Sequence, residues 1–207
     1  MVMAKKVLLF GFEPFLSYTY NPSGVVVKRL AGHAIDGAKI VGKVLPVKHI
    51  DAFNLVSSTV KEEKPDVIIG LGLAASKGCI ILERIAINRY YFRTKEEQFD
   101  EPLSQKGNEA YFTTLPVQNI KLQLEKATIP AEYSFFGDTY VSNEVFYAIM
   151  AAAEKNKIKK AGFIHVPLTS AQVIEMNHVH YSTRAGIPSM EESTIEKAVR
   201  IAISASL

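Results

Sequence analysis

Apolar runs and segments of helical spacing alternate along the chain, and that rhythm predicts its architecture. Lys6–Gly11 is a short apolar run closed by glycine and reads as a buried strand. Asn21-Pro22-Ser23 then starts a helix reaching about Leu30, with proline well placed in the first turn. Ala38–Val44 reads as a strand. Ile50–Glu63 has helical spacing at Phe53, Val56 and Val60, and Lys64-Pro65 stops it. Asp66–Leu71 and Ile80–Asn88 read as further strands, while Thr94–Asn108 is charged, turn-rich and without clear period, as a surface loop would be. Pro116–Lys126 is amphipathic through Val117, Ile120, Leu122 and Leu124. A strand at Ala131–Ser134, a helix at Val141–Lys155, a strand at Ala161–Val166 and a last helix at Glu191–Ser204 complete the pattern. The alternation predicts a three-layer α/β domain with a largely parallel sheet. No repeat or linker divides residues 1–207, so one domain is expected.

Composition narrows the class of protein. The chain is 48% apolar, which argues against disorder. Its net charge is only +3, the cations are scattered, and the cluster Lys155-Asn156-Lys157-Ile158-Lys159-Lys160 reads as a solvated helix end. No basic stripe with interleaved aromatics is present, so nucleic acid is not an expected partner. A single cysteine, Cys79, rules out an intramolecular disulfide. Lys5 and Lys6 precede an apolar run that ends at Gly11, too short for a secretion signal. No segment approaches membrane-spanning length, so no membrane association and a cytoplasmic location are expected.

Against this background a few side chains stand out. Ser142 falls in the first turn of a predicted helix, after Asp138 and Thr139, both suitable caps. Helix starts stabilise anions, activate thiols placed there and offer backbone N–H groups to an oxyanion. Equally, Ser142 suits an ordinary first-turn serine. Glu83 is the lone acid of the apolar stretch Ile80–Ile87, with Arg84 on the opposite face of the strand. It suits a functional carboxylate, a structural ion pair or an exposed sheet edge. His165 stands in Phe163-Ile164-His165-Val166-Pro167, near the strand end where open α/β sheets hold ligands, and a core histidine is the plain alternative. Phe12 and Phe15 follow the first strand and suit either a pocket wall or the core. His178-x-His180 lacks a nearby third metal ligand. Cys79 and Glu83 on one strand would stand roughly 13 Å apart, too far to share an imidazole, so Cys79 reads as a buried structural residue. Gly70-Leu71-Gly72-Leu73-Ala74 lacks the third glycine of a dinucleotide-binding loop. Neither a metal nor an organic cofactor is expected.

In combination these segments resemble the pyroglutamyl peptidase I (pyrrolidone-carboxylate peptidase) family. Gly11-Phe12-Glu13-Pro14-Phe15 with Asn21-Pro22 is similar to its opening signature, and Glu83-Arg84-Ile85-Ala86-Ile87-Asn88 to its glutamate segment. Thr139-Tyr140-Val141-Ser142-Asn143 is similar to its nucleophile segment, with Ser142 where the family has Cys, and Phe163–Pro167 to its histidine segment. Tyr111-Phe112, Leu115-Pro116 and Pro188-Ser189-Met190 agree between them. The resemblance implies an α/β/α domain with a central mixed, mostly parallel sheet. It also implies a homotetramer, and removal of an N-terminal pyroglutamyl residue from peptides by covalent catalysis. Carried over by position, His165 is the general base and acid, Glu83 orients it, and Ser142 holds the nucleophile's place. Phe12 and Phe15 hold the pyrrolidone ring, and Arg93 lines the site.

The departures are specific. Besides Ser142, Asp138 stands where the family usually has glycine, Ala75-Ser76-Lys77 replaces a Pro-Gly-Arg-like turn, and the segment after Arg93 is shorter and lacks the family's Ile-Pro-Asp-Asn. A lone Cys→Ser change would suit a laboratory variant, whereas several departures together suit a divergent member. Three functions remain open: a pyroglutamyl peptidase weakened or silenced by Ser142, a non-enzymatic protein that binds a pyroglutamyl-like ligand or serves in assembly, and a serine-type amidohydrolase of changed substrate.

Overall fold

Strand β1 (Lys6–Phe12) explains why the sheet is covered on both faces. Val7 and Leu9 enter one apolar cluster, and Leu8, Phe10 and Phe12 enter another. Side chains alternate along a strand, so a continuous apolar run needs packing partners on both sides. Helices α1 (Pro22–Leu30), α3 (Val117–Lys126) and α6 (Glu192–Ser206) cover the first face; α2 (Asp51–Glu63) and α4 (Val141–Asn156) cover the second. The computed structural model describes residues 4–93, 97–176 and 186–207. Its other elements are β2 (Ala34–Ile35), β3 (Ala38–Leu45), β4 (Val67–Leu73), β5 (Ile80–Glu83), β6 (Ile85–Ile87), β7 (Tyr90–Arg93), β8 (Gln98–Glu101), β9 (Ala110–Phe112), β10 (Ala131–Ser134), β11 (Lys160–Val166) and the short α5 (Ser170–Glu175). Among the described residues no helix is long and apolar enough to cross a membrane.

The central sheet runs β10-β5-β11-β4-β1-β3-β2. Strands β3, β1, β4 and β11 are parallel, β5 is antiparallel to β11, and β2 is antiparallel to β3. The sheet is therefore mixed between two helical layers, the α/β/α arrangement expected. The chain leaves β1 toward β3 and leaves β4 toward the other edge. Adjacent strands whose connections part in this way leave a crevice at their carboxyl ends, where open α/β sheets hold ligands.

Local chemistry sets the helix limits. Asn21 caps α1 by accepting from the Ser23 N–H, with Pro22 in the first turn. Lys64 ends α2 in a left-handed conformation ahead of Pro65. In α3, Val117, Ile120 and Leu124 are buried, whereas Leu122 faces solvent.

Several expectations need correction. The stretch Ile80–Asn88 is not one strand. It breaks at Arg84, whose N–H donates to the Ser134 carbonyl while its own carbonyl accepts from Thr113, and β6 leaves the central sheet to pair with β9. Within Thr94–Asn108, Gln98–Glu101 forms a strand, β8, paired with β7. All of β8 is exposed, so no buried stripe marked it in the sequence. Residues 94–96 lie outside the described residues.

Gly70 and Gly72 lie inside β4, register with Phe163 and His165 of β11, and leave room for those rings. A Cβ on Gly70 would sit 2.4 Å from Phe163 Cδ2 and 2.8 Å from Ile149 Cδ1. Gly70→Ala is expected to lower unfolding free energy by about 1–3 kcal/mol through overpacking, measured by urea denaturation.

Candidate active site

The reversed strand β5 creates the central contact. Antiparallel pairing sets His165 opposite Ile81, and continuing that register sets Glu83 opposite Phe163. Glu83 and His165 are thus diagonal neighbours on one face, within reach of a long side chain. Glu83 Oε1 lies 2.8 Å from His165 Nδ1, and both residues are buried. An ionised carboxylate only accepts, so the ring places its proton on Nδ1 and leaves Nε2 as the acceptor. Phe163 packs edge-on against the imidazole, with ring centroids 5.0 Å apart. Gly72 makes space beside it, because a Cβ there would lie 2.9 Å from Nε2. The second oxygen, Glu83 Oε2, is buried with no hydrogen-bond partner among the described residues, and Gly137 approaches it.

This pair faces a cavity of about 490 Å³, which Ser142 also lines, together with Phe15, Tyr140 and the Ser76-Lys77 turn after β4. Ser142 is half-buried in the first turn of α4. The expected caps do not cap this helix. Tyr140 is the N-cap and makes no side-chain bond to it; Asp138 instead accepts from the Thr139 N–H at 2.6 Å, and the Thr139 hydroxyl donates to the Tyr91 carbonyl at 3.2 Å. First-turn N–H groups without a side-chain cap remain donors at the cavity's edge. Asp138 has φ +75°, a left-handed backbone that glycine adopts freely and aspartate tolerates.

The remaining candidates divide. Phe15 is half-buried on the cavity wall, but Phe12 does not line the cavity: it is in the core, with its ring centroid 6.4 Å from that of Phe163. Arg93 is exposed at the end of β7 and lines a neighbouring cavity of about 850 Å³, which shares Phe15, Asp138 and Tyr140 with the first. Cys79 is half-buried rather than buried and lies outside both cavities, and burial pushes its thiol up, away from a reactive thiolate. His178 and His180 lie outside the described residues.

Sequence reasoning missed Asn143. Its buried side chain accepts from the Ile87 N–H at 3.0 Å and donates to the Ile87 and Arg89 carbonyls at 3.0 and 2.9 Å. It thereby fastens the Ser142 turn to the chain leaving Glu83, much as a neighbouring strand would. The available signal was a polar residue beside Ser142 at the start of a largely apolar helix.

A buried carboxylate bonded to an imidazole, facing a crevice that it shares with a hydroxyl at a helix start, is the arrangement of covalent hydrolases on α/β folds. The sequence model of the pyroglutamyl peptidase family matches residues 5–207, and the chain belongs to that family of hydrolases. A pyrrolidone-carboxylate peptidase of Vibrio campbellii is 35% identical over 208 residues, covering 97% of this chain and 98% of its own. One from Bacillus licheniformis is 36% identical over 205 residues, covering 97% and 91%. Among solved structures, a mutant pyrrolidone carboxyl peptidase of Pyrococcus furiosus superposes with a TM-score of 0.89 at 36% identity, covering 97% of each chain. The Thermococcus litoralis enzyme gives 0.89 at 35%, covering 98% and 93%.

Asn143→Ala is expected to lower stability by about 1–3 kcal/mol, because it strands the Ile87 and Arg89 backbone groups; urea denaturation reads it.

Proposed function

We propose that the chain is built to remove the N-terminal pyroglutamyl residue from peptides through an acyl-enzyme, and that Ser142 makes it weak or inactive in that reaction. The observation that carries this reading is the Glu83–His165 bond, which leaves Nε2 free beside the cavity that Ser142 lines. In the reaction, Nε2 takes the proton from the side chain at position 142. The oxygen attacks the pyroglutamyl carbonyl, and N–H groups at the start of α4 hold the oxyanion. His165 then returns the proton to the leaving amine and activates the water that releases pyroglutamate. Glu83 holds the ring and stabilises its imidazolium. Phe15 receives the lactam ring, and Arg93 serves the adjoining cavity. Residues 1–207 act as one domain, and the family resemblance supports a cytoplasmic homotetramer.

Serine is the weak point for a physical reason. A thiol of pKa about 8.5 pre-ionises beside an imidazolium and a helix start, whereas a hydroxyl loses its proton only during attack. A site shaped for sulfur also holds the shorter C–O bond too far from the carbonyl. A second reading, a protein that binds a pyroglutamyl-like ligand without turnover, is favoured by Asp138, which sets a carboxylate near the developing oxyanion.

Ser142→Cys is expected to raise release of a fluorophore from a pyroglutamyl amide by about 10²-fold or more. Adding His165→Ala to that variant removes the gain. A folded, inert Ser142→Cys protein that binds pyroglutamate saturably in calorimetry would instead establish the second reading. Within an active Ser142→Cys enzyme, Glu83→Gln is expected to lower kcat by roughly 10²–10⁴-fold with KM little changed, read in the same assay.

A further inference from the structure

Helix α4 carries a second buried acid–imidazole contact that the proposed reaction does not use. Glu144 is fully buried, two residues past Ser142 and therefore roughly 200° around the helix from it. One of its oxygens accepts from the Ile50 N–H at 2.7 Å, and the other lies 2.7 Å from His49 Nδ1. Ile50 is the N-cap of α2, has φ +65°, and its own side chain caps nothing. The carboxylate of another helix therefore does the capping.

The far side of His49 reaches the hairpin. Its Nε2 lies 3.3 Å from Glu101 Oε1 on β8, and its ring stacks on Tyr90 of β7 with centroids 3.6 Å apart and planes at 8°. Tyr90 and Glu101 are cross-strand partners. From that hairpin, Tyr91 donates its N–H to the Thr139 carbonyl at 3.0 Å and accepts from the Thr139 hydroxyl, just ahead of Ser142. Arg93 ends the same strand. Among the described residues, the groups facing His49 are thus Glu144 from α4, Glu101 from β8 and Tyr90 from β7, whose hydroxyl is pushed up to about 12 by burial and stays neutral. On His49's own segment, Lys48 and Asp51 pair with each other at 2.7 Å.

Proton counting makes this array conditional. Ionised carboxylates only accept, and a neutral imidazole has one N–H. Both ring contacts are hydrogen bonds only when Glu144, His49 and Glu101 together hold one extra proton. The ring can carry it. So can Glu144, whose carboxyl is pushed above its ordinary value by burial, with His49 and the Ile50 and Phe53 N–H groups pulling it back. Either placement completes both bonds. When that proton leaves, the single ring N–H stays with the fully buried Glu144, where no water replaces it. A lone pair then faces the carboxylate of Glu101, whose side chain is 53% exposed, and attraction becomes repulsion.

We propose that His49 is a positioning residue: with Glu144 and Glu101 it latches the β7–β8 hairpin, and Arg93 with it, against the first turn of α4 while the array holds its extra proton. The role in catalysis rests on the function proposed above; the latch does not. Hydrogen exchange of the β7–β8 segment, read by mass spectrometry from about pH 5 to about pH 9 and corrected for intrinsic rates, spans imidazole titration. Protection is expected to fall roughly three- to fivefold as pH rises, a size set by the exposure of Glu101, while β4 shows no such change. Glu101→Gln, whose amide bonds without the extra proton, is expected to flatten that profile. In Ser142→Cys enzyme, Glu101→Gln is expected to remove a rise of KM with pH and leave kcat unchanged. An unprotonated hairpin as protected as the protonated one, or an equal slope in the Gln variant, overturns the latch. An unaltered KM profile beside a flattened exchange profile overturns the positioning role alone. If Ser142→Cys is inert, the function proposed above fails and the exchange measurement still decides the latch.

Discussion

The buried bond between Glu83 and His165 is the constraint on which the site depends. A carboxylate in an apolar sheet is costly unless bonded, and an imidazole in the core without a fixed tautomer has no defined chemistry. Each solves the other's problem, and only because β5 runs against β11. Parallel pairing would have carried Glu83 to the crevice rim beside the ring instead of behind it. The glycines of β4 belong to the same solution: they let aromatic side chains lie flat over a neighbouring strand.

The first turn of α4 is fixed from three directions. Asn143 binds the chain leaving Glu83, Glu144 binds the start of α2, and the backbone of Thr139 binds β7. None of these contacts comes from a conventional cap. A helix start held by its surroundings keeps its own N–H groups available, which suits an anion-stabilising edge. The same turn thus stands between two acid–imidazole pairs, one toward the crevice and one toward the hairpin.

Much of the fold was legible because apolar periodicity is strong where burial is complete. The runs at Lys6–Gly11 and Ala161–Val166 and the helix from Val141 fall within a residue or two of their observed limits. Elements that escaped were those whose partners are distant or whose faces are wet. β8 has no buried residue, and the break at Arg84 is set by Ser134 and Thr113, which spacing within the strand cannot reveal. The gathering of Glu83, Ser142 and His165 around one cavity was readable only through motif resemblance, since pattern alone gave each a bland alternative. Phe12 shows the limit of that resemblance: the motif residue is present, yet its ring belongs to the core and Phe15 alone reaches the cavity. His49 and Glu144 carried no local signal, because a buried charge is visible only once its partner across the fold is known.

The separation of Glu83 from His165 by 82 positions has a consequence during synthesis. A nascent chain exposes the acid well before the ribosome has made its imidazole, and β5 has no antiparallel neighbour until β11 emerges. Until then β5 and β10 have no strand joining them to the rest of the central sheet, and the carboxylate lacks the ring that offsets its burial. Closure of the sheet and the acid–imidazole bond therefore depend on the same late strand.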